Sequence, residues 1–103
     1  ERTKLLVSLG DCAVSCNVPG MRNMFKTKDV LDRAFQENVA TNPQIPTTVI
    51  PPLLDRVRPV HEVVDVDVFI PGCPPHADVI FNTVLEILEG KMPDTTHRTR
   101  FGA

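Results

Sequence analysis

The 103-residue sequence contains no tryptophan and no tyrosine, and it has only three cysteines, three histidines and five glycines. Charge of one sign is also missing. Lys and Arg total 11 against 13 Asp and Glu, the formal net charge is -2, and no basic stripe marks a nucleic-acid surface. The longest apolar runs, such as KLLVSL and VDVDVFI, fall far short of the roughly 18 to 20 residues that a spanning helix needs. No membrane-crossing helix is expected, and the chain reads as soluble. There is no C-x-x-C and no H-x-x-x-H spacing, which excludes the usual structural zinc pairs and a dithiol with its own resolving partner. Serine or cysteine triads, a phosphate-cradling glycine loop and a paired-carboxylate site are equally absent. The length allows one domain at most, with a modest core that buries roughly two thirds of the unfolded surface.

What is present reads as two strand-loop-helix units without an internal repeat. TKLLVSLGDC is continuously apolar up to Gly10, as expected of a strand buried on both faces of a parallel sheet. From Gly10 to Phe25 no hydrophobic period is sustained, so this stretch reads as a loop. In TKDVLDRAFQENVA, Val30, Leu31, Ala34, Phe35 and Val39 recur at helical spacing. The spacing predicts a helix over 27–40, with Thr27 as its cap and Asp29 in the first turn. Pro43, Pro46, Pro51, Pro52 and Pro59 then impose a wrapping connection, in which Pro52 can open a short helix over LLDRVR. Ile45, Val49, Ile50, Leu53 and Leu54 argue against disorder there, because they need burial.

VDVDVFI alternates and then turns wholly apolar, as a strand entering the core and ending at Pro71 does. After Pro75, HADVIFNTVLEILEGK sets Ala77, Ile80, Phe81, Val84, Leu85 and Leu88 on one helical face, with Gly90 as the stop. MPDTTHRTRFGA is polar and expected to be extended. Two strand-loop-helix units therefore each place a cysteine, Cys12 and Cys73, just beyond a strand's carboxyl end. That edge is where open parallel α/β sheets bind ligands, so both thiols are expected at one pocket.

An odd number of cysteines argues against a closed set of internal disulfides. The plain alternative is that all three are buried as small apolar residues. Cys73 in IPGCPP invites a more specific reading. Pro71, Pro74 and Pro75 stiffen its backbone, Gly72 permits close approach, and a helix beginning directly after it would favour a thiolate. Rigid placement suits metal coordination better than redox exchange. Iron-sulfur clusters take about four thiolates, which may come from separate loops, and three cysteines cannot supply them.

LGDCAVSCNVPGMRN, PVHEVVDVDVFIPGCPPHADVI and ILEGKMPD together resemble the small, electron-transferring subunit of nickel-iron hydrogenases, in particular its compact cytoplasmic forms. The terminal-cluster subunit of respiratory complex I shares that superfamily. The pair of anchors G-x-C-A-V and P-G-C-P-P is specific at this separation, whereas either alone is weak. The resemblance implies an α/β fold, part of a flavodoxin-like parallel sheet with flanking helices. It also implies a proximal 4Fe-4S cluster for which Cys12 and Cys73 are two ligands. The family's other two ligands come from a C-x-x-C loop after the first strand, which this sequence does not contain. Residues 1–103 are therefore expected to be the C-terminal part of one iron-sulfur domain, with the N-terminal half of its sheet missing.

Cys16 departs from the pattern, since the family usually has glycine there. It stands as a small residue beside the cluster, as an extra or alternative ligand, or as an incidental thiol. His61 is expected to pack structurally and His76 to face solvent in a first helical turn, while His97 lies in the tail without a cluster motif. Arg22 and Asn23 are expected to bond loop carbonyls or meet the large subunit, a structural role in either case. Asp11 is the one acid beside the presumed cluster. The implied partners are a hydrogenase large subunit carrying a nickel-iron centre and a downstream electron-transfer subunit or acceptor. The implied location is cytoplasmic, with membrane association only through partners. A complex I-type subunit and a cluster-free structural protein are the rival readings.

Overall fold

The computed structural model describes residues 2–98. The chain divides into two compact units, Glu1–Val18 with Arg58–Ala103, and Pro19–Val57. Its α-helices are α1 (Asp11–Ser15) and α3 (Ala77–Leu88) in the first unit and α2 (Thr27–Asp32) in the second.

In the first unit, β1 (Val7–Leu9) pairs in parallel with β2 (Val68–Ile70), with Val7 opposite Val68 and Leu9 opposite Ile70. These are the two strands of the sheet among the described residues. Both lie where the apolar runs predict, but each is shorter than its run. β1 is not buried on both faces, because Leu9 is 49% exposed. Just before the strands, Asp67 accepts from the Leu6 N–H through its carboxylate, and its own N–H donates to the Leu6 carbonyl. Aspartate thus holds the register at the edge where the alternating part of VDVDVFI ends.

Among the described residues, Val14, Val68 and Ile70 form the buried hydrophobic core. Burying each is worth about 1.5–3 kcal/mol. Val14 belongs to α1, a five-residue helix that replaces the expected loop. It forms because the Gly10 carbonyl accepts from both Ala13 and Val14 N–H groups, and Ser15 Oγ donates back to the Asp11 carbonyl.

α3 is capped by His76, whose Nδ1 accepts from the Asp78 N–H at 3.3 Å. The carboxyl end closes as expected at Gly90, where φ is 78°, Gly90 N–H donates to Ile87 and Lys91 N–H to Glu86. That is the paired Schellman arrangement, and it favours glycine because other residues are strained at positive φ. The predicted apolar face is offset from the inward one. Thr83 is fully buried and Val79, Ile80 and Ile87 are half-buried, whereas Phe81 is 67% and Leu88 78% exposed. Thr83 enters the interior readily because its hydroxyl donates to the Val79 carbonyl at 2.7 Å.

Beyond α3, Thr95 Oγ1 donates to the Phe69 carbonyl of β2 at 2.7 Å, and Arg98 pairs with Glu86. Residues 92–95 have no regular structure and 96–98 form a turn. The rest of the tail expected to be extended lies outside the described residues. A short 3-10 turn, Val60–Glu62, precedes β2, and the His61 ring meets Phe69 edge-on at 5.6 Å, the packing role expected of it.

The second unit is built around side chains that bond backbone. A 3-10 helix, Pro19–Met24, stands where a loop is predicted. It is followed by α2, which widens into a π-turn over Arg33–Glu37 closed by Asn38 N–H on the Arg33 carbonyl. The helical run so ends three residues short of the predicted 40. Thr27 is the first helical residue rather than the cap: its hydroxyl accepts from Arg22 and donates to the Asp55 carbonyl, each at 3.0 Å. Arg22 Nη2 also donates to the Leu54 carbonyl at 2.8 Å. Asn23 pairs both ways with the Val57 backbone, at 3.0 and 2.7 Å. Arg22 and Asn23 therefore bond loop carbonyls, as expected. No helix forms over LLDRVR; the carbonyls of Leu54 and Asp55 accept from Arg22 and Thr27 instead.

Candidate functional site

The site grows out of the carboxyl end of the sheet. Leu9 and Ile70 face each other in register, and Gly10 N–H continues the pairing by donating to the Ile70 carbonyl at 2.8 Å. One step further, Asp11 N–H donates to the Gly72 carbonyl at 2.9 Å, and Gly72 N–H donates back to Asp11 Oδ1 at 2.6 Å. The clasp joins two loops 61 residues apart in sequence. Each cysteine is the next residue, Cys12 after Asp11 and Cys73 after Gly72.

Both glycines are needed for this approach. Gly10 has φ 85° and Gly72 φ 142°, regions that residues with a side chain rarely adopt. At Gly72 a Cβ would stand 2.5 Å from the Pro75 Cα and 2.7 Å from its nitrogen. The prolines of IPGCPP thus fold back over Gly72, and the Cys73–Pro74 bond is cis. Asp11 is buried, 5% exposed, and the Gly72 amide it accepts from offsets the loss of water around its carboxylate.

Cys12 and Cys73 are free and exposed, and Cys16 is free and half-buried. Two thiols at the surface overturn the plain expectation of three buried ones. Cys73 is not at the mouth of a helix: α3 begins at Ala77, and its first turn is capped by His76. The partner of Cys73 is Asn17, whose Nδ2 donates to Cys73 Sγ at 3.5 Å. Cys12 sits in the first turn of α1 rather than in a loop. Cys16 follows α1 with φ 71°, a conformation that glycine adopts freely. His76 is exposed as expected, and His97 is exposed within the 96–98 turn.

Sequence reasoning misses Asn17 and, although it notes Asp11 as an acid beside Cys12, misses the acceptor role of Asp11. Asp11 stands out in hindsight as an acid between an apolar strand and a helix, but its Gly72 partner is set by the register. Asn17 has no signal of its own, because its reach to Cys73 depends on the turn after α1.

As a donor set, two exposed thiols on clasped loops are of the chemical kind that iron-sulfur clusters use. Among the described residues no three His, Cys, Asp or Glu side chains converge as a metal-binding group.

Residues 1–87 match the family described as NADH ubiquinone oxidoreductase, 20 Kd subunit. The chain belongs to that family. Within it, the chain is 38% identical over 94 residues to the G subunit of the F420-non-reducing hydrogenase of Methanothermobacter marburgensis, covering 88% of this chain and 30% of the relative. It is 39% identical over 106 residues to the delta subunit of the NAD-reducing hydrogenase HoxS of Cupriavidus necator, covering 95% and 51%. A third relative, the K subunit of the NAD(P)H-quinone oxidoreductase of Prochlorococcus marinus, is 39% identical over 51 residues, covering 41% and 21%. The crystal structure of an NAD+-reducing nickel-iron hydrogenase in the H2-reduced state superimposes with a TM-score of 0.80 at 32% identity, over 95% of this chain and 57% of that one. The chain thus spans between about a third and about half of the length of the hydrogenase relatives it matches. The α/β fold with a parallel sheet and flanking helices is that of the family. Among the described residues no helix is long and apolar enough to cross a membrane.

Proposed function

We propose that this chain is an electron-relay component of a nickel-iron hydrogenase, in which Cys12 and Cys73 provide two of the four thiolates of a 4Fe-4S cluster. The observation that carries the proposal is the Asp11–Gly72 clasp, which fastens the two cysteine loops to each other at the sheet's carboxyl edge. The other ligands are contributed from outside these 103 residues. When bound, such a cluster supplies one-electron transfer between a nickel-iron centre in a large subunit and a downstream electron-transfer subunit or acceptor. The protein's part is to hold its sulfurs still and set their hydrogen bonding, which keeps rearrangement on electron uptake small. Residues 1–103 act as part of one iron-sulfur domain of a longer assembly, located in the cytoplasm and reaching a membrane only through partners.

Two observations weigh between the readings. The hydrogenase relatives match 88% and 95% of the chain, whereas the quinone oxidoreductase relative matches 41%. This favours a hydrogenase over a complex I-type assembly. The exposure of Cys12 and Cys73 disfavours a cluster-free role in which thiols serve as buried packing.

Anaerobic purification of the chain with its native partners tests the proposal. A nickel-containing subunit is expected to copurify, and hydrogen gas is expected to reduce an iron-sulfur signal. A complex without nickel that oxidises NADH with quinone would replace the hydrogenase reading with the rival one.

A further inference from the structure

We infer that Asn17 is a positioning residue for Cys73: it donates to the thiolate sulfur and thereby raises the reduction potential of the group that sulfur holds. The inference rests on the proposed role of Cys73 as a cluster ligand and adds a residue that the ligand set does not include.

The geometry is specific. Asn17 Nδ2 lies 3.5 Å from Cys73 Sγ across 56 residues of sequence, a hydrogen-bond distance for the larger radius of sulfur. It reaches there from the turn directly after α1, where Cys16 and Asn17 both have positive φ, 71° and 36°. Asparagine is among the few residues other than glycine that accept this backbone. Glycine would satisfy the turn as well but has no side-chain donor, whereas Asn17 sets an N–H against the sulfur. Asp11 completes the arrangement from the other side by holding Gly72, the residue before Cys73. One loop therefore fixes both the backbone and the sulfur of the other.

The electrostatic consequence has a sign. A hydrogen bond to sulfur strengthens as the sulfur gains negative charge, so an amide donor favours the reduced state of a thiolate-bound cluster. Removing it lowers the potential. Both Asn17 and Cys73 are exposed, and solvent weakens the effect. We expect about a three- to tenfold fall in the reduced-to-oxidised ratio at fixed potential, at most about 59 mV for a one-electron couple.

The experiment uses the assembled multi-subunit complex, with redox titration followed by paramagnetic resonance. Asn17→Gly keeps the left-handed turn and removes the donor, and Asn17→Asp keeps the shape while adding a negative charge. The expected order of potentials is wild type above Asn17→Gly above Asn17→Asp, with iron content unchanged. Potentials of both variants equal to wild type would overturn the inference. Loss of the cluster in both, with the complex still assembled, would also overturn it by making Asn17 a purely structural residue. Cys73→Ser separates the ligand role from the positioning role. If Cys73→Ser leaves iron content and signal intact, the ligand assignment itself fails. If it removes or converts the signal while the Asn17 variants do not move the potential, the ligand assignment stands and the inference about Asn17 falls.

Discussion

Replacing Asp11 by alanine removes the acceptor that holds the Gly72 N–H at 2.6 Å and leaves that amide buried without it. A hydrogen bond to a charged partner contributes about 1.5–3 kcal/mol net. At about 1.4 kcal/mol per factor of ten, this predicts a roughly 10- to 150-fold faster hydrogen exchange at the Gly72 amide. Asp11→Asn keeps an acceptor oxygen and loses only the charge, so its acceleration is expected to be smaller, about three- to tenfold. The effect is local. The Gly10 N–H on the Ile70 carbonyl does not involve the Asp11 side chain, and its exchange is expected to stay within about twofold of wild type. Hydrogen exchange on the assembled complex, read at both amides, checks the clasp directly. Equal protection of Gly72 in wild type and Asp11→Ala would refute it, and equal acceleration at Gly10 and Gly72 would mean that the aspartate stabilises the whole unit rather than the joined loops.

The remaining predictions concern the same framework. Gly72→Ala forces a Cβ to within 2.5 Å of the Pro75 Cα, so a cost of about 2–4 kcal/mol is expected, seen as lost exchange protection across residues 70–75. Protection equal to wild type would show that the proline segment yields easily. Ser8 Oγ is buried with no hydrogen-bond partner among the described residues, so Ser8→Ala is expected to stabilise β1 by about 1 kcal/mol, read from slower exchange at its amides. Faster exchange would reveal a partner for that hydroxyl. Hydrogen bonds from the Thr96 hydroxyl and backbone N–H hold the Asp94 carboxyl below its usual value, so the turn they form persists at neutral pH and loosens only as pH falls through that lowered pKa. Thr96→Ala is expected to move the Asp94 titration, followed by NMR, back upward, and an unmoved titration would contradict the assigned cause.

What can be read from the sequence follows how local each signal is. The helix Ala77–Leu88 and its stop at Gly90 are legible because the apolar period and the terminating glycine are contiguous, whereas the cap at His76 is not read from the sequence. The parallel pairing is legible from two apolar runs followed by similar cysteine loops. α1 is not, since a five-residue helix does not sustain a period, and it is held by the Gly10 carbonyl and the distant Gly72. The apolar pattern misplaces the inward face of α3 because Thr83 is buried through a bond to its own helix, a device hydrophobicity does not report. Pro52 suggests a helix over LLDRVR that does not form, and the carbonyls of Leu54 and Asp55 are instead met by the side chains of Arg22 and Thr27, partners distant in sequence that a local reading does not see. At the site, Cys12 and Cys73 are legible from their motifs, while Asn17 and the acceptor role of Asp11 depend on partners 56 and 61 residues away.

The central claim is that Cys12 and Cys73 are ligands and Cys16 is not, and the most direct test is the iron content and paramagnetic signal of three variants in the anaerobically purified complex. Cys12→Ser and Cys73→Ser are each expected to lose or convert the cluster. Cys16→Gly is expected to retain it in full, because Cys16 holds φ 71°, where glycine is at ease. A complex that keeps its cluster with serine at 12 or 73, or loses it only when Cys16 becomes glycine, would contradict that claim.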